Sequence, residues 1–581
     1  MYLNCKVKIP EKGGNISIKT ISGTSYVYLE KGRVYNKEKQ YNTPTRICIG
    51  KRDSEQPGFM HPNEKFLKFF PKELLPFEKD TQFRSGCLHF GAYTVIRKIV
   101  AEYQLDEMLG RIVGQDAGLF LDLAAYSIIT EDNAGQYYPD YAYNHALFTD
   151  NMKIYSDSKV SDFIGKVSID QRIAFLNEWN KKRDHREKIY ISNDATNKIS
   201  QAGDIELVEL GHAKKDLETD IFNYSIAYDR NNHEPLFYEA YPGSIVDVSQ
   251  LQHTLKKAKS YGYEHVGFIL DRGYFCKENI EFMDESGYDF VIMVKGMKTL
   301  VSELILNVQG QFENDRAKSI RSYKVSGTTI KQKLFATDKK ERYFHIFYDD
   351  GRKAKEREAL EEKIDRMGRK LKECMGETIH PRGDFQKYFD LVYYHEGKPD
   401  EVFMTGIEKT EVINRDIKLC GYFAIVTSEK MSAKEALELY KSRDESEKTF
   451  RGDKSYLGAN AERVYSTESI DTKIFIGFVA TIIRSRIYVL LREEVARMEK
   501  KQNYMTVPAA IKELEKIELL KGADNEYNLD YAVTATQKAI LKAFDMTADD
   551  IHKQARAISS DLLRVELETI EKQSQRSESK S

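Results

Sequence analysis

Two short apolar runs constrain what this chain can fold into more than any other feature. The runs His265–Leu270 and Phe290–Val294 hold almost no polar residue, and the helix-like segment Glu278–Gly287 lies between them. Strands without polar alternation are typical of sheets that are covered on both faces. A strand, a helix and a second strand in this order predict parallel neighbours joined by a crossover, so the segment predicts an α/β sheet.

Three further strand patterns precede this pair. Lys188–Asn193, Phe222–Asp229 and Pro235–Tyr241 are rich in β-forming residues, and the amphipathic segment Ser249–Tyr261 follows them. The predicted order is therefore β-β-β-α-β-α-β. Three meandering strands followed by crossovers are the ribonuclease H-like arrangement, so we expect an α/β fold with a ribonuclease H-like core.

The length of 581 residues suggests about three to five domains. Helix-like sequence is predicted over 92–183, 351–373, 472–500, 507–521 and 535–570. The predicted regions are, in chain order, a basic β module over 1–60, a linker and helical domain over 61–185, the first part of the core over 186–299, a β-rich insertion with a charged helix over 300–425, the second part of the core over 426–490, and a C-terminal helical region with a disordered tail over 491–581.

The first region differs from the rest of the chain in charge. Residues 1–60 hold 11 Lys and Arg against 5 Asp and Glu, a net charge of +6, while the whole chain has a net charge of −2. Lys31-Gly32 predicts a turn between the strand Thr24–Glu30 and a return strand that starts at Arg33. Tyrosines alternate with basic residues here, which suits contact with a DNA backbone and equally an ordinary half-polar sheet.

Composition argues against several classes of protein. The six cysteines lie far apart without a CxxC pair, which argues against a zinc finger and fits a reducing cytoplasm. The first residues lack an apolar signal segment, and the longest apolar run, Ile474–Ile483, is too short to span a bilayer. We therefore predict a cytoplasmic protein that does not contact membranes, with the single tryptophan, Trp179, in its core.

Two aspartates stand at the carboxyl ends of predicted core strands. Asp194 follows the first core strand, and Asp271 follows the apolar run His265–Leu270. The first and fourth strands of a ribonuclease H-like sheet are neighbours, so these two aspartates are expected side by side. Two carboxylates this close need a divalent cation, or one of them must stay protonated.

A third acidic position lies on a predicted helix that begins at Ser432. The spacing of Ser432 and Glu435 is that of a capping box, which satisfies free amide groups at a helix start. Gly452-Asp453 is a helix breaker, so the last position of the pattern is conditional. Spacings of three, four and seven residues place the following side chains within about a 60° arc of one helix face: Tyr440, Arg443, Glu447 and Lys454.

This ordered set resembles the signature of the IS4-type DDE transposases. The pattern Tyr440-x2-Arg443-x3-Glu447-x6-Lys454 is similar to the helix signature of that family. Asp194 in the context NDATN and Asp271 in the context DRGYF are similar to its first two catalytic positions. The opening run GTSYVYLEKGRVYNKEKQYNTPTRICIGK resembles the IS1634-type branch.

The resemblance implies an insertion-sequence transposase. Such an enzyme binds the terminal inverted repeats of its element, cleaves the DNA ends and joins the 3′-ends to target DNA, acting as a homodimer on DNA. By resemblance, Asp194, Asp271 and Glu447 are the catalytic residues and hold two Mg²⁺ ions, for which Mn²⁺ can substitute. The residues implied in DNA binding are Tyr440, Arg443 and Lys454.

Two other functions stay open at this point. One is another ribonuclease H-like nuclease, such as a resolvase, against which the helix signature and the large insertion argue. The other is a domesticated, catalytically inactive DNA-binding protein, against which the three intact carboxylates argue. The apolar stripe of Val507, Ile511 and Leu514 fits either a dimer contact or the core of the monomer. Weaker candidates for the site are Lys214, Lys215, His212, Asp247 and Arg272.

Overall fold

A computed structural model describes most of the chain and divides it into two compact units, Met1–Ser85 and Gly86–Ser581. The residues described are 2, 6–10, 15–21, 23–36, 40–54, 56–70, 84–183, 188–200, 207–210, 220–243, 247–294, 298–338, 340–398, 400–443, 457, 461–462, 466–499, 502–522 and 526–578.

The first unit is an antiparallel sheet with one short helix. The strands lie in the order β1-β5-β4-β3-β2, and Val27, Ile49, Met60 and Phe66 are at the centre of its hydrophobic core. Asn63 caps the helix through its side chain. The elements are β1 (Val7–Lys8), β2 (Asn15–Ile21), β3 (Thr24–Asn36), β4 (Tyr41–Arg52), β5 (Phe59–Pro62) and α1 (Glu64–Phe69).

The predicted turn at Lys31-Gly32 is wrong. β3 runs unbroken through this point to Asn36, and its register with β4 shifts between Glu30 and Gly32. The extra residue is accommodated as a β-bulge, which a glycine permits without ending the strand. The sequence signal for a turn therefore marks an irregularity inside one long strand.

The second unit begins with a strand and a helical region. Trp179 is fully buried as predicted, and its indole N–H donates a hydrogen bond to the Pro235 carbonyl at 2.9 Å. The predicted helical pattern over 92–183 is confirmed. The elements are β6 (Cys87–His89), α2 (Gly91–Glu102), α3 (Leu105–Val113), α4 (Ala117–Thr130), α5 (Tyr138–Asn144), α6 (Asp157–Ile164) and α7 (Ile169–Lys181).

A central sheet organises the second unit. Its first five strands lie in the order β10-β9-β7-β11-β12, in which the first three are antiparallel and β7, β11 and β12 are parallel. The predicted order of strands and helices in this segment is confirmed, except that the short strand β8, which pairs with β9, was not predicted. The elements are β7 (Ile189–Ser200), β8 (Glu209–Leu210), β9 (Asp220–Asp229), β10 (Glu234–Pro242), α8 (Asp247–Ser260), β11 (Val266–Leu270), α9 (Lys277–Glu285) and β12 (Asp289–Met293).

The central strands are buried on both faces. All five residues of β11 are buried; Phe268 and Leu270 contribute to the main core, whereas Ile269 contributes to a second cluster on the opposite face. Successive side chains of a strand point to opposite faces, so a run without polar residues fits this position.

The region after residue 297 extends the central sheet and adds a satellite core. Beyond β12 the sheet continues through β18, β15, β14 and β13, all antiparallel. The charged helix is confirmed, and Ile364, Met367 and Leu371 bury one stripe of it against the hairpin of β16 and β17. The elements are α10 (Lys298–Val308), β13 (Ser319–Ile320), β14 (Val325–Lys333), β15 (Glu341–Tyr348), α11 (Asp350–Glu373), α12 (Asp384–Tyr388), β16 (Phe389–Tyr394), β17 (Val402–Glu408), α13 (Thr410–Leu419) and β18 (Tyr422–Thr427).

One long helix, α15 (Thr467–Arg497), passes through the main core. It and the stretch Leu105–Thr130 are long and apolar enough to cross a membrane, judged by length and composition alone. The most apolar part of α15 is 72% buried inside the protein, which is typical of a core helix. The run Ile474–Ile483 thus lies in a helix that is long enough to span a bilayer. The burial of this helix in the protein core explains why the run is apolar.

The C-terminal region closes onto the start of the second unit. The predicted helix over 507–521 ends at Leu514, because β20 (Glu518–Lys521) instead pairs with β6 and with β21 (Tyr527–Leu529). The stripe of Val507, Ile511 and Leu514 is buried in the main core. The remaining elements are α14 (Ala433–Lys441), β19 (Ala461–Glu462), α16 (Val507–Leu514), α17 (Ala535–Lys542) and α18 (Ala548–Glu578).

Candidate active site

The register of two parallel strands aligns the first two predicted aspartates. β7 and β11 are neighbours as predicted, and Asn193 of β7 pairs with Leu270 of β11. The next residues along the two strands are Asp194 and Asp271. Adjacent strands lie about 4.8 Å apart, so the two backbones are near neighbours here.

Asp194 lies inside its strand rather than after it. The predicted strand ends at Asn193, but β7 continues to Ser200 because its antiparallel pairing with β9 persists as far as Ile199. Asp194 itself pairs with Ile226. Only β11 ends at the predicted point, with Leu270.

The carboxylate of Asp271 forms an ion pair with Arg443. Its Oδ1 accepts the backbone N–H of Arg272 at 2.7 Å and lies 2.7 Å from Nη1 of Arg443. The Asp271 side chain is 40% exposed, whereas that of Arg443 is 13% exposed. A mostly buried guanidinium is stabilised by such a charge-assisted contact, so the pair holds Arg443 at the end of β11.

The helix that precedes Arg443 lies across the sheet. The predicted start of α14 is confirmed: Ser432 and Glu435 form a capping box, with hydrogen bonds of 3.2 and 2.8 Å. Its buried face joins the cluster that contains Ile269 of β11. The packing therefore directs the end of the helix toward Asp271.

α14 ends at Lys441, with Ser442 as its C-cap, and Arg443 is helical again. The predicted common helix face stays a prediction, because Glu447 and Lys454 lie outside the described residues. The guanidinium of Arg443 nevertheless stands 5.5 Å from the centre of the Tyr440 ring. Tyr440 is only 6% exposed and packs in the α14 cluster, which leaves little of its surface for DNA.

An open cavity of about 760 Å³ lies at the start of α14 and was not foreseen. Four lysines line it against a single acidic residue, Glu435, whose carboxylate accepts the backbone N–H of Ser432. The basic residues come from separate segments, so no charge run marks them in the sequence. The lysines of this basic groove are Lys318, Lys331, Lys430 and Lys434.

Several predicted site residues fall outside the described part of the chain. These are Glu447, Lys454, His212, Lys214 and Lys215. Among the side chains that the structure describes, no group of three or more His, Cys, Asp or Glu is arranged to hold a metal ion. Glu447 and the side chains of Asp194 and Asp247 are not among these.

Residues 206–483 match the family model of the transposase DDE domain. This range is just under half of the chain; it contains Asp271, Arg443 and Glu447 and begins after Asp194. This match to a transposase DDE domain confirms the predicted class of enzyme, a DNA transposase.

Among solved structures, the cryo-EM structure of the piggyBac transposase synaptic complex with hairpin DNA is similar to this chain. The similarity covers 73% of this chain and 76% of that one, at 8% identity and a TM-score of 0.35. No curated protein matches this chain.

Proposed function

We propose that this chain, which carries a transposase DDE domain, is the transposase of an insertion sequence. It binds the terminal inverted repeats of its element, cleaves the DNA ends and transfers the 3′-ends to target DNA. The observation that carries the proposal is the β7–β11 register, in which Asp194 and Asp271 directly follow a pair of neighbouring backbone positions, together with the ion pair of Asp271 and Arg443. The helix signature and the opening segment support the IS4-type, IS1634-like branch.

The core is ribonuclease H-like in this proposal. The strand order β10-β9-β7-β11-β12, with three antiparallel strands followed by two parallel ones, supports it. A ligand site at the carboxyl ends of parallel strands is common in α/β sheets. Asp271 stands at such an end.

Asp194, Asp271 and Glu447 would hold two Mg²⁺ ions, or Mn²⁺ in their place. Carboxylate oxygens are the ligands that these hard cations prefer, and Asp271 already attracts a cation, Arg443. When bound, the ions would lower the pKa of the attacking water or 3′-hydroxyl and stabilise the leaving 3′-oxygen.

Arg443 has two partners in this scheme. In the structure its guanidinium neutralises Asp271 and lies near the ring of Tyr440. The planar fork of an arginine suits a phosphate as well as a carboxylate. Arg443 therefore exchanges Asp271 for a phosphate of the bound DNA end, and Tyr440 serves to position Arg443. Lys454 binds the DNA backbone.

The DNA partners are the terminal inverted repeats and the target. The basic groove at the start of α14 supports contact with a DNA backbone, because lysines bind phosphates without reading bases. The transposase works in the cytoplasm, away from membranes, and acts on paired DNA ends as a homodimer.

An excision assay tests this function. A marker is placed between the DNA ends that flank the gene, and the protein, Mg²⁺ and a supercoiled target are added. We expect the wild type to release and join the marker and Asp271→Ala to be inactive. Asp365→Ala, which removes an exposed carboxylate of α11, is the matched control and should stay active. Binding to the ends without cleavage, even in Mn²⁺, would instead identify an inactive DNA-binding protein.

A further inference from the structure

The long hairpin of the first unit continues beyond its sheet as a two-stranded ribbon. β2 pairs only with the Thr24–Glu30 part of β3, and β5 pairs with β4 only at Gly50–Arg52. Over Gly32–Asn36, β3 pairs with Tyr41–Thr45 of β4 and, within the described residues, with no other strand. We call these two paired segments the ribbon.

The ribbon is exposed on both faces. Val34, Tyr35 and Tyr41 are 63%, 59% and 56% exposed, so three large side chains lie in solvent close to one another. A two-stranded ribbon without a packed face is at best marginally stable in water. These side chains therefore gain from a partner that covers them.

One face of the ribbon presents side chains that can read DNA bases. Arg33 pairs with Pro44 and Tyr35 with Asn42 in the regular register, and partners across two strands share a face. Arg33, Tyr35 and Asn42 are all exposed. Arginine binds the major-groove edge of guanine, and asparagine that of adenine, each through two hydrogen bonds. The opposite face carries Val34 and Thr43.

The size and charge of the ribbon fit duplex DNA. Five residues of strand extend about 17 Å, and the two strands lie about 5 Å apart. The major groove is about 12 Å wide and admits a two-stranded β-ribbon. Neither strand of the ribbon contains Asp or Glu, and residues 1–60 carry a net charge of +6, which attracts a polyanion.

We infer that the ribbon enters the major groove of the terminal inverted repeat and reads its sequence through Arg33 and Asn42. The inference rests on the proposed function, since an insertion-sequence transposase has to recognise the ends of its own element. It assigns sequence recognition to the ribbon, whereas Asp271 and Arg443 act on the scissile phosphate.

A binding assay with the full chain tests this assignment without any chemical step. The probes are a duplex with the DNA end that flanks the gene and a duplex of the same composition in scrambled order. The quantity measured is the specificity ratio, the Kd for the scrambled duplex divided by the Kd for the end. We expect Arg33→Lys and Asn42→Ala each to lower this ratio about tenfold. Lysine replaces the planar fork of arginine by a single point charge, and alanine removes both hydrogen bonds of the asparagine.

Two control variants accompany them. Ile18→Thr changes an exposed apolar side chain of β2, outside the ribbon, and should keep the wild-type ratio. Lys19→Gln removes an exposed charge of β2, outside the ribbon, and should weaken both Kd values equally or leave both unchanged.

The following results of the binding assay would overturn the inference or the proposed function. A wild-type ratio in both Arg33→Lys and Asn42→Ala overturns the ribbon as the reader of sequence, as does an equal loss of affinity for both probes. A wild type without any preference for the ends also overturns it. Failure of the excision assay with intact specific binding would count against the proposed function alone.

Discussion

The ion pair of Arg443 and Asp271 predicts opposite effects of one mutation on metal binding and on DNA cleavage. The guanidinium occupies Oδ1 of Asp271, so it competes with any metal ion for this carboxylate. In Arg443→Ala we expect Mn²⁺ to bind severalfold more tightly at low salt, because a competing positive charge is gone. DNA cleavage should fall about 100-fold or more, because a phosphate ligand is lost. Isothermal titration with Mn²⁺ and the excision assay measure the two effects.

The matched variant is Arg366→Ala, which removes an exposed arginine of α11. It should change neither quantity. Unaltered Mn²⁺ affinity in Arg443→Ala would contradict competition between the guanidinium and the metal.

A buried histidine predicts acid sensitivity. His345 of β15 is fully buried between the hydroxyls of Thr329 and Thr427, at 2.9 and 3.0 Å. Burial lowers its pKa from 6.5 to about 4. The unfolded chain therefore binds a proton that the folded chain does not, and the free energy of unfolding falls as the pH drops from about 6.5 to 4, by up to roughly 3 kcal/mol.

Urea unfolding of the wild type and of His345→Gln over this pH range measures the effect. The glutamine keeps a neutral polar side chain, so the variant should lose this part of the pH dependence. Identical pH profiles for the two proteins would refute the assignment to His345.

At the scale of elements, Gly327 sets how α14 lies on the sheet. A Cβ at this position of β14 would meet the Ala433 Cβ at 3.0 Å and the Phe347 ring at 2.9 Å. We expect Gly327→Ala to shift the start of α14 and to lower the free energy of unfolding by about 1–3 kcal/mol. Because Arg443 follows the other end of α14, excision should weaken as well.

Adding Ala433→Gly to this variant makes room for the new methyl group. The double variant should recover part of the lost activity relative to Gly327→Ala. Additive losses in urea unfolding and in the excision assay would show that the two positions do not couple.

The basic groove predicts a charge-dependent affinity. Lys318 and Lys430 are both exposed, so Lys318→Gln with Lys430→Gln should leave the fold intact. We expect weaker DNA binding and a salt dependence whose logarithmic slope is smaller by about two, one for each lost phosphate contact. Lys538→Gln with Lys553→Gln, on the C-terminal helices, is the control of equal charge. An equal slope in both double variants would refute a DNA contact in the groove.

The sequence predicted those elements whose signals are local. The apolar run of β11 and the capping box of α14 specify a buried strand and a helix start, and both are where we predicted them. The continuation of β7 beyond Asn193, the unbroken strand at Gly32 and the strand at Glu518 depend on pairing with distant partners. Tertiary pairing overrides local propensity, so no local pattern could have revealed them.

The candidate site also combines features that the sequence pattern predicts with features that depend on tertiary packing. Adjacency of Asp194 and Asp271 follows from strand order, which the pattern supplied. The contact of Arg443 with Asp271 depends on how α14 packs across the sheet, and the basic groove gathers lysines from separate segments. Neither has a signature in sequence spacing alone.

At the scale of the whole molecule, the C-terminal stripe belongs to the core rather than to a free dimer surface. Leu514 is fully buried. We expect Leu514→Ala to lower the free energy of unfolding by about 2–5 kcal/mol and to leave the oligomeric state unchanged. Urea unfolding and light scattering measure the two quantities. Dissociation of an oligomer without loss of stability would contradict the core assignment.

The small sheet of β6, β20 and β21 also limits how early the protein can finish folding during its synthesis. Cys87 and Glu518 contact each other across 431 positions of the chain. A ribosome adds about 5–20 residues per second, so the edge of β6 waits roughly 20–90 s for its partner. Until then the nascent chain offers an open strand, and a message cut short before β20 yields a protein that never closes it. Damage to the codons of β20 therefore also affects a strand that is encoded 431 positions earlier.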